Sequence, residues 1–240
     1  GWSDIAWGGP QGQGRFVAVS SETITEAQVM TLDIIQTTNS WTTNPVEQQK
    51  YTGSPITPTI NVMDGSVQLT EYTDFTVAYA NNTNTGTAGV TITGIGGYSG
   101  VLTETFAITA KTLTVTANDI QKVYDGQPST GWTATYQGFV PGENELNLTG
   151  ALTFSGVGTT ATDVGSYPIT PSGLGSNNYD LNFVDGTVLI TPLTVTVTPD
   201  LLSKTYGEVD PMFTYALSAT SSATLSVVGA LSRASGEDVG

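Results

Sequence analysis

The chain is poor in the side chains that usually carry out catalysis. Its 240 residues include no histidine and no cysteine, which removes the usual general base near neutral pH, the thiolate nucleophile and the commonest zinc ligands. A serine nucleophile would lack its histidine base, and no G-x-S-x-G turn occurs. Acid–base or metal chemistry would therefore depend on carboxylates.

Carboxylates that are close in sequence form three candidate acid–base pairs: Glu143 with Glu145, Asp119 with Asp125, and Glu237 with Asp238. Such chemistry needs two carboxylates held in different environments. All three pairs lie in polar, turn-rich stretches, where exposed carboxylates are ordinary loop surface. We therefore expect no catalytic residue and no enzymatic activity.

A metal site built from oxygen ligands would favour calcium, yet the EF-hand spacing D-x-D-x-D-G is absent. The isolated pairs that could join a calcium site at a module junction are Asp180 with Asp185 and Glu208 with Asp210. Capping of turns is the commoner role of such residues. The stretch GIGGYSG from Gly94 has no Lys-Ser or Lys-Thr pair and no helix after it, so it indicates a turn and no phosphate loop. We expect no metal and no cofactor.

Tryptophans could bind sugars by stacking on their apolar faces. The candidates are Trp2, Trp7, Trp41 and Trp132. Trp132 follows a turn sequence and is expected to be partly exposed, but single exposed aromatic residues are common. A carbohydrate-binding role for Trp132 is the less favoured interpretation.

Composition excludes two classes of partner. The net charge is −15 and only six residues are Lys or Arg, too few for the basic surface that nucleic acid requires. No apolar run approaches the roughly 18 residues needed to cross a bilayer, so we expect no membrane insertion. The chain begins at Gly1 without an initiator Met, and we interpret it as a fragment.

The elements that must position any site are β-strands, because apolar residues alternate with period two almost throughout. The segment KTLTVTA from Lys111 places Leu113, Val115 and Ala117 on one face, and PLTVTVT from Pro192 repeats the pattern. Turn sequences separate the strands, including Asp64-Gly65, Asp125-Gly126 and Asp185-Gly186. The stretch PGENELNL alone suggests a short helical turn. The fold class is all-β.

Internal repeats indicate tandem modules of about 60 to 80 residues. Three landmarks recur in the same order: Tyr124-Asp125-Gly126 with Tyr206-Gly207-Glu208, Gly150-Ala151-Leu152 with Gly229-Ala230-Leu231, and Asp163-Val164-Gly165 with Asp238-Val239-Gly240. A more distant version begins at Tyr51-Thr52-Gly53.

The tyrosine motifs have a structural interpretation, so we predict a structural role for Tyr51, Gly53, Tyr124, Asp125, Gly126, Tyr206 and Gly207. Gly126 and Gly207 would supply the positive φ of a tight turn, and the tyrosine ring would cover the end of a small core. Lys122 and Lys204 lie two residues before the motif, and nothing calls for a lysine cross-link there.

These landmarks resemble known families. The segment from YDGQPSTGW to GTVLITPLTVT resembles the MBG and YDG modules of large bacterial surface proteins, and KTYGEVDPMFTYALS resembles the YGX-type MBG module. The segment from YTGSPITPT to ETFAIT is similar to a bacterial Ig-like module. The first part of the chain resembles one BNR-like propeller repeat with a degraded Asp-box, in the segments GWSDIAWGGPQGQGRFVAVSS and SWTT. This resemblance implies that Trp2, Trp7 and Trp41 pack between strands of the blade.

The resemblances imply four parts: a propeller-blade remnant (1–48), an Ig-like module (49–110), an MBG/YDG-type module (111–191) and a truncated YGX-type module (192–240). One blade cannot close a propeller, so earlier blades precede Gly1 or this part is a leftover, and we favour the first. Sandwich and β-grasp topologies both remain open, with PGENELNL favouring β-grasp for the second and third modules. We expect the last module to be incomplete, with uncovered apolar faces.

The implied function is a non-catalytic stalk or adhesion segment of a secreted or cell-surface bacterial protein. Its partners would be host or matrix glycans or proteins, bound through other parts of the parent chain. The alternative is a C-terminal accessory region of a carbohydrate-binding or propeller-headed extracellular protein or enzyme. The modules join almost without linkers, which predicts a semi-rigid array.

Overall fold

The structure is a computed structural model that describes residues 40–219 and 228–236, together with the backbone of four strands within residues 2–37. The described residues form β-strands, turns and short 3-10 elements, which confirms the all-β prediction. The chain divides into two compact units, residues 1–111 with 177–180, and residues 112–176 with 181–240. A search of the described residues finds no helix long and apolar enough to cross a membrane.

The N-terminal part of the first unit contributes four strands. They are β1 (Trp2–Gly8), β2 (Arg15–Ser20), β3 (Met30–Leu32) and β4 (Gln36–Thr37). β1, β2 and β3 form an antiparallel meander in chain order. The side chains of Trp2 and Trp7 lie outside the described residues, so their predicted packing stays a prediction.

The remainder of the first unit contains two further sheets. Its strands are β5 (Trp41–Thr43), β6 (Gln49–Lys50), β7 (Val62–Asp64), β8 (Val67–Gln68), β9 (Phe75–Ala80), β10 (Gly86–Gly94), β11 (Tyr98–Ser99) and β12 (Val101–Thr109). The sheet orders are β5-β7-β8 and β6-β12-β10-β9, and β11 pairs with β4. Ala88, Val90 and Ile92 alternate along β10 and are at most 1% exposed, so one face of this strand is core.

The second unit begins with a sandwich of seven strands. They are β13 (Lys111–Ala117), β14 (Ile120–Val123), β15 (Ala134–Gln137), β16 (Thr149–Ser155), β17 (Gly165–Gly175), β18 (Tyr179–Val184) and β19 (Gly186–Thr191). Their sheet orders are β15-β13-β18 and β14-β19-β17-β16. Ala117 from the first sheet packs with Ile169, Val188 and Ile190 from the second, which places the core between the two layers.

Of the two topologies that the sequence left open, this module adopts the sandwich. The PGENELNL segment, which favoured a β-grasp helix, forms only a three-residue 3-10 turn, Glu145–Asn147. Asn144 caps this turn by accepting a hydrogen bond from the Leu146 N–H at 2.9 Å. None of the three residues is buried, so the turn does not contribute to the core.

The last segment of the second unit is a single hairpin in the described residues. β20 (Val195–Pro199) pairs with β21 (Tyr215–Ala219) in an antiparallel two-stranded sheet. Three apolar residues of this segment, Val197, Tyr215 and Leu217, are 43%, 38% and 36% exposed, and the truncation of the module stays a prediction. Asp238, Val239 and Gly240, which the repeat analysis used, lie outside the described residues.

Candidate functional site

The Tyr124-Asp125-Gly126 motif forms a turn held by a lysine. The Lys122 ammonium group lies 2.6 Å from Asp125 Oδ1 and donates to the Gln127 carbonyl at 2.7 Å. Asp125 Oδ1 also accepts from the Gln127 N–H at 2.9 Å. Gly126 has φ of 74°, the left-handed conformation expected for it. The lysine therefore bridges the two sides of the turn.

The same contacts stabilise the charged form of Asp125. The hydrogen bond from Lys122 and, next, the one from the Gln127 N–H lower the pKa of this carboxyl group below its ordinary value. A carboxyl group with a lowered pKa stays ionised and is a poor general acid at neutral pH. Asp125 therefore stabilises the turn.

The motif also closes the module, because β14 runs parallel to the last strand, β19. The Tyr124 N–H donates to the Thr191 carbonyl at 2.9 Å. In the opposite direction, Thr191 Oγ1 donates to the Lys122 carbonyl at 3.2 Å. The Tyr124 ring packs against the core cluster. We call this reciprocal pair of hydrogen bonds the Tyr–Thr clasp.

The first unit contains the same Tyr–Thr clasp. β6 runs parallel to β12, the Tyr51 N–H donates to the Thr109 carbonyl at 2.9 Å, and Thr109 Oγ1 donates to the Gln49 carbonyl at 3.1 Å. Tyr51 is 5% exposed and meets the Tyr179 ring edge-on at 5.6 Å. Gly53 has φ of 77°. The distant sequence repeat at Tyr51 therefore coincides with a repeated hydrogen-bond arrangement.

The Tyr206 turn keeps the lysine but differs in the position of the ring. Lys204 lies 2.8 Å from Asp210 Oδ1 and donates to the Glu208 carbonyl at 3.0 Å, and Gly207 has φ of 81°. Hydrogen bonds from Arg233 and then Lys204 lower the pKa of Asp210. Tyr206 is 72% exposed, so the expectation that its ring covers a core is wrong in the described residues.

The candidate carboxylates have structural partners or lie in the solvent. Asp119 Oδ1 accepts from the Thr187 N–H at 2.8 Å, and so caps the start of β19 instead of meeting Asp125. Asp180 and Asp185 are exposed, and so are Glu208 and Asp210. Across residues 40–219 and 228–236 no group of three or more His, Cys, Asp or Glu side chains could hold a metal ion. Glu237 and Asp238 lie outside the described residues.

The two described tryptophans are packing residues. Trp41 is 6% exposed and meets Tyr98 edge-on at 5.8 Å. Its strand, β5, pairs with β7, so its partner strand lies outside residues 2–37, and the propeller-blade resemblance of this residue stays a prediction. Trp132 is half-buried and packs against the core and the Phe154 ring, 6.1 Å away. Trp41 is thus buried, and part of the Trp132 ring is covered by the core and by Phe154.

A polar cleft of about 360 Å³ lies in the first unit, lined by Asn81, Asn82, Thr83, Asn84, Thr85 and Thr87. Several of its polar groups are already used. The Asn82 Nδ2 donates to the Ile56 carbonyl at 3.0 Å, and the Thr85 N–H donates to Asn178 Oδ1 at 3.1 Å. Part of the polar wall of the cleft is therefore already hydrogen-bonded.

Sequence reasoning missed the threonine of the clasp. Thr109 and Thr191 each end an apolar strand with the residues Ile-Thr, and each follows its tyrosine by a similar interval. A search for this second landmark beside the Tyr motif could have found Thr109 and Thr191 as recurring residues, although not the parallel pairing of their strands.

Comparison with known proteins locates one family within the chain. Residues 113–189 match the family described as MBG domain (YGX type). The sequence analysis had assigned the YGX type to the third module and the MBG/YDG type to this one. A search of curated proteins finds no match. The Ig-like and BNR-like resemblances thus remain predictions.

Three solved structures have weak similarity to the chain. The N-terminal four Ig domains of Dscam1 isoform 9.44 align with 9% identity and a TM-score of 0.26. The alignment covers 77% of this chain and 56% of that chain. Protocadherin gamma B7 cadherin domains 1–4 align with 12% identity, TM-score 0.25, 87% of this chain and 66% of that one. Mouse clustered PcdhgC3 EC1–3 aligns with 12% identity and a TM-score of 0.21, and the alignment covers 80% of this chain and 78% of that one. Within the chain, the seven-stranded sandwich is the part that matches the MBG domain (YGX type) family.

Proposed function

We propose that the chain is a non-catalytic stalk or adhesion segment of a secreted or cell-surface bacterial protein, built from tandem β-modules. The proposed parts are residues 1–48, 49–110, 111–191 and 192–240. The partners of the whole protein would be host or matrix glycans or proteins. The MBG match over residues 113–189 supports the extracellular setting.

The observation that carries the proposal is the parallel pairing of β14 with β19 and of β6 with β12. Tension along the chain reaches β14 from its N-terminal side and β19 from its C-terminal side. Because the strands are parallel, these two points lie at opposite ends of the pair. The tension then acts along the strands, and the hydrogen bonds between them must break together instead of one after another.

Module spacing supports the same function. Ala110 alone separates β12 from β13, and residues 192–194 alone separate β19 from β20. No Gly/Ser-rich tether intervenes that would absorb extension as a flexible coil. A stalk needs short connections of this kind, because they transmit tension to the folded modules instead of absorbing it by extending.

Single-molecule pulling of the whole chain from its two ends tests the proposal. The Tyr124 N–H points toward β19, and strand geometry repeats every two residues, so the Lys122 N–H points the same way and the Gln121 N–H points away. Lys122→Pro should lower the force at which the MBG-type module ruptures. Gln121→Pro should leave it near the wild-type force, because β14 is an edge strand with solvent on that side.

Lys122→Met is the control for the lysine side chain, since it keeps the backbone N–H and loses only the ion pair with Asp125 and the hydrogen bond to the Gln127 carbonyl. Equal loss of rupture force in both proline variants would refute the role of the β14–β19 pair. A wild-type chain that extends without discrete rupture events would refute the stalk function itself.

The alternative function is an accessory region beside a carbohydrate-binding or propeller-headed domain. The antiparallel meander β1–β3 favours it, because a propeller blade is a meander of this kind. Binding of the chain to an array of glycans, lost in a variant that lacks residues 1–39, would favour this alternative.

A further inference from the structure

The loop between β15 and β16 of the MBG-type module contains an asparagine in the sequence pattern that N-glycosylation requires. Residues 145–149 read Glu-Leu-Asn-Leu-Thr, so Thr149 stands two positions after Asn147 and no proline lies between them. Glu145 stands two positions before Asn147. A carboxylate there can accept a charge-assisted hydrogen bond from a cationic side chain of a transferase. The loop therefore offers the acceptor pattern together with an additional acidic contact.

The structure presents this pattern on the surface of the module. Glu145, Leu146 and Asn147 form the 3-10 turn described above, and none of them is buried. Leu146 is 87% exposed, so the middle of the pattern lies in the solvent and not in the core. Thr149 is exposed and begins β16, which lies at the end of its sheet and pairs only with β17 among the described strands. A transferase can therefore reach the pattern from the solvent.

The carboxamide of Asn147 is held by its oxygen, while its nitrogen is left unused. Asn147 Oδ1 accepts a hydrogen bond from the Asn144 N–H at 3.0 Å, which completes the cap of the turn. Asn147 Nδ2 donates no hydrogen bond to any of the described residues. N-glycosylation attaches the sugar to the nitrogen and leaves the oxygen as a carbonyl. The cap and the modification therefore use different atoms of the same side chain.

A second asparagine provides a comparison within the chain. Asn81-Asn82-Thr83 also fits the basic pattern, and Asn81 is exposed in the loop between β9 and β10. Tyr79 stands two positions before Asn81, so the acidic contact is missing there. A transferase that binds the carboxylate should therefore distinguish Asn147 from Asn81.

We propose that Asn147 is the acceptor for an oligosaccharide that a transferase binding Glu145 transfers from a polyprenyl diphosphate. In the reaction Nδ2 forms a bond to C1 of the first sugar, the bond between C1 and the diphosphate oxygen breaks, and polyprenyl diphosphate leaves. Nδ2 gives up one proton to a base of the transferase, and nothing is oxidised or reduced. The proposal takes its extracellular setting from the proposed function, whereas a reaction with purified components tests the acceptor by itself.

The test incubates the purified, folded chain with a lipid-linked oligosaccharide and an oligosaccharyltransferase that requires an acidic residue two positions before the asparagine. Intact-mass spectrometry should show the addition of a single oligosaccharide, and peptide fragmentation should locate it at Asn147 and not at Asn81. Asn147→Asp should abolish the addition but keep the Oδ1 acceptor of the cap, so its melting temperature should stay near that of wild type. Thr149→Val should also abolish the addition, whereas a Thr149→Ser chain should still be modified.

Paired charge variants test the role of Glu145. Glu145→Gln should lower the initial rate of transfer about tenfold or more, because it removes the charge from the contact with the transferase. Glu143→Gln removes the same charge two residues earlier and should change the rate less than about twofold. Equal rates for the two variant chains would overturn the proposal.

Two further results would also overturn it. One is no addition to the folded chain, even where a synthetic peptide copying residues 143–151 is modified, because the folded loop would then be inaccessible. The other is addition at Asn81 in place of Asn147. Neither result bears on the stalk function, which the rupture force tests separately.

Discussion

Replacing Gly186 with alanine tests how closely the two sheets of the MBG-type sandwich approach each other. Gly186 begins β19, and a Cβ atom there would lie 2.5 Å from the Ala117 carbonyl oxygen and 3.0 Å from the Ala117 Cβ on β13. Real Cβ atoms essentially never approach another atom closer than 3.0 Å, so the two backbones must move apart. Ala117 belongs to the same core cluster as Val188, which is 0% exposed, so the separation would open a packed core.

Overpacking of this kind costs about 1–3 kcal/mol. A loss of about 2 kcal/mol should lower the melting temperature of a module of this size by roughly 8–16 °C. The assay is differential scanning calorimetry of the whole chain, with hydrogen exchange along β13 and β19 to assign the transition. Gly97→Ala is the control, because nothing lies within 4 Å of a Cβ atom there. A Gly186→Ala chain that melts within about 2 °C of wild type would refute the close approach of the two strands.

Four more outcomes follow from individual residues and from composition. Ile169→Ala should cost about 2–5 kcal/mol in urea denaturation, and Leu189→Ala, at a partly exposed site on the same sheet, less than about 1 kcal/mol. NMR titration should place the pKa of Asp125 below its ordinary value, and Lys122→Met should raise this pKa again. The stability that Asp125 contributes is fully present at pH values above the ordinary pKa, and it is lost as the pH falls through the lowered pKa. Tyr72→Gly should stabilise the first unit by about 0.5–1 kcal/mol, because Tyr72 has φ of 64° and an exposed ring, and denaturation midpoints will measure the gain. Calcium followed by chelator should shift calorimetric transitions by less than about 5 °C, as the missing calcium-loop motif implies.

Local pattern was sufficient to predict the strands. The alternation in KTLTVTA predicted that Leu113, Val115 and Ala117 share a face, and they are 0%, 0% and 3% exposed. The positive φ values of Gly126 and Gly207 likewise follow from short-range turn chemistry. Both predictions succeed because the residues that decide the conformation are adjacent in sequence.

Pairing between distant strands could not be predicted in the same way. An alternating strand has the same pattern whether its neighbour is parallel or antiparallel, so nothing local to Lys122 or Thr191 indicates that their strands run together. Trp41 pairs with Asp64 of β7, 23 residues further along the chain, and no local pattern around Trp41 indicates this pairing. Tyr206 shares its motif with Tyr124, but burial of the ring requires partner strands that the motif does not encode.

The Tyr–Thr clasp also determines when each module can fold. Its partners lie 60 residues apart in the first unit and 69 apart in the second, so the clasp cannot form until nearly the whole module is available. Contacts of such long sequence separation slow folding, because the loop must close before the contact is gained. A module that lacks its final Ile-Thr strand therefore also lacks the clasp. Each module can complete its parallel strand pair only after nearly all of its residues are available.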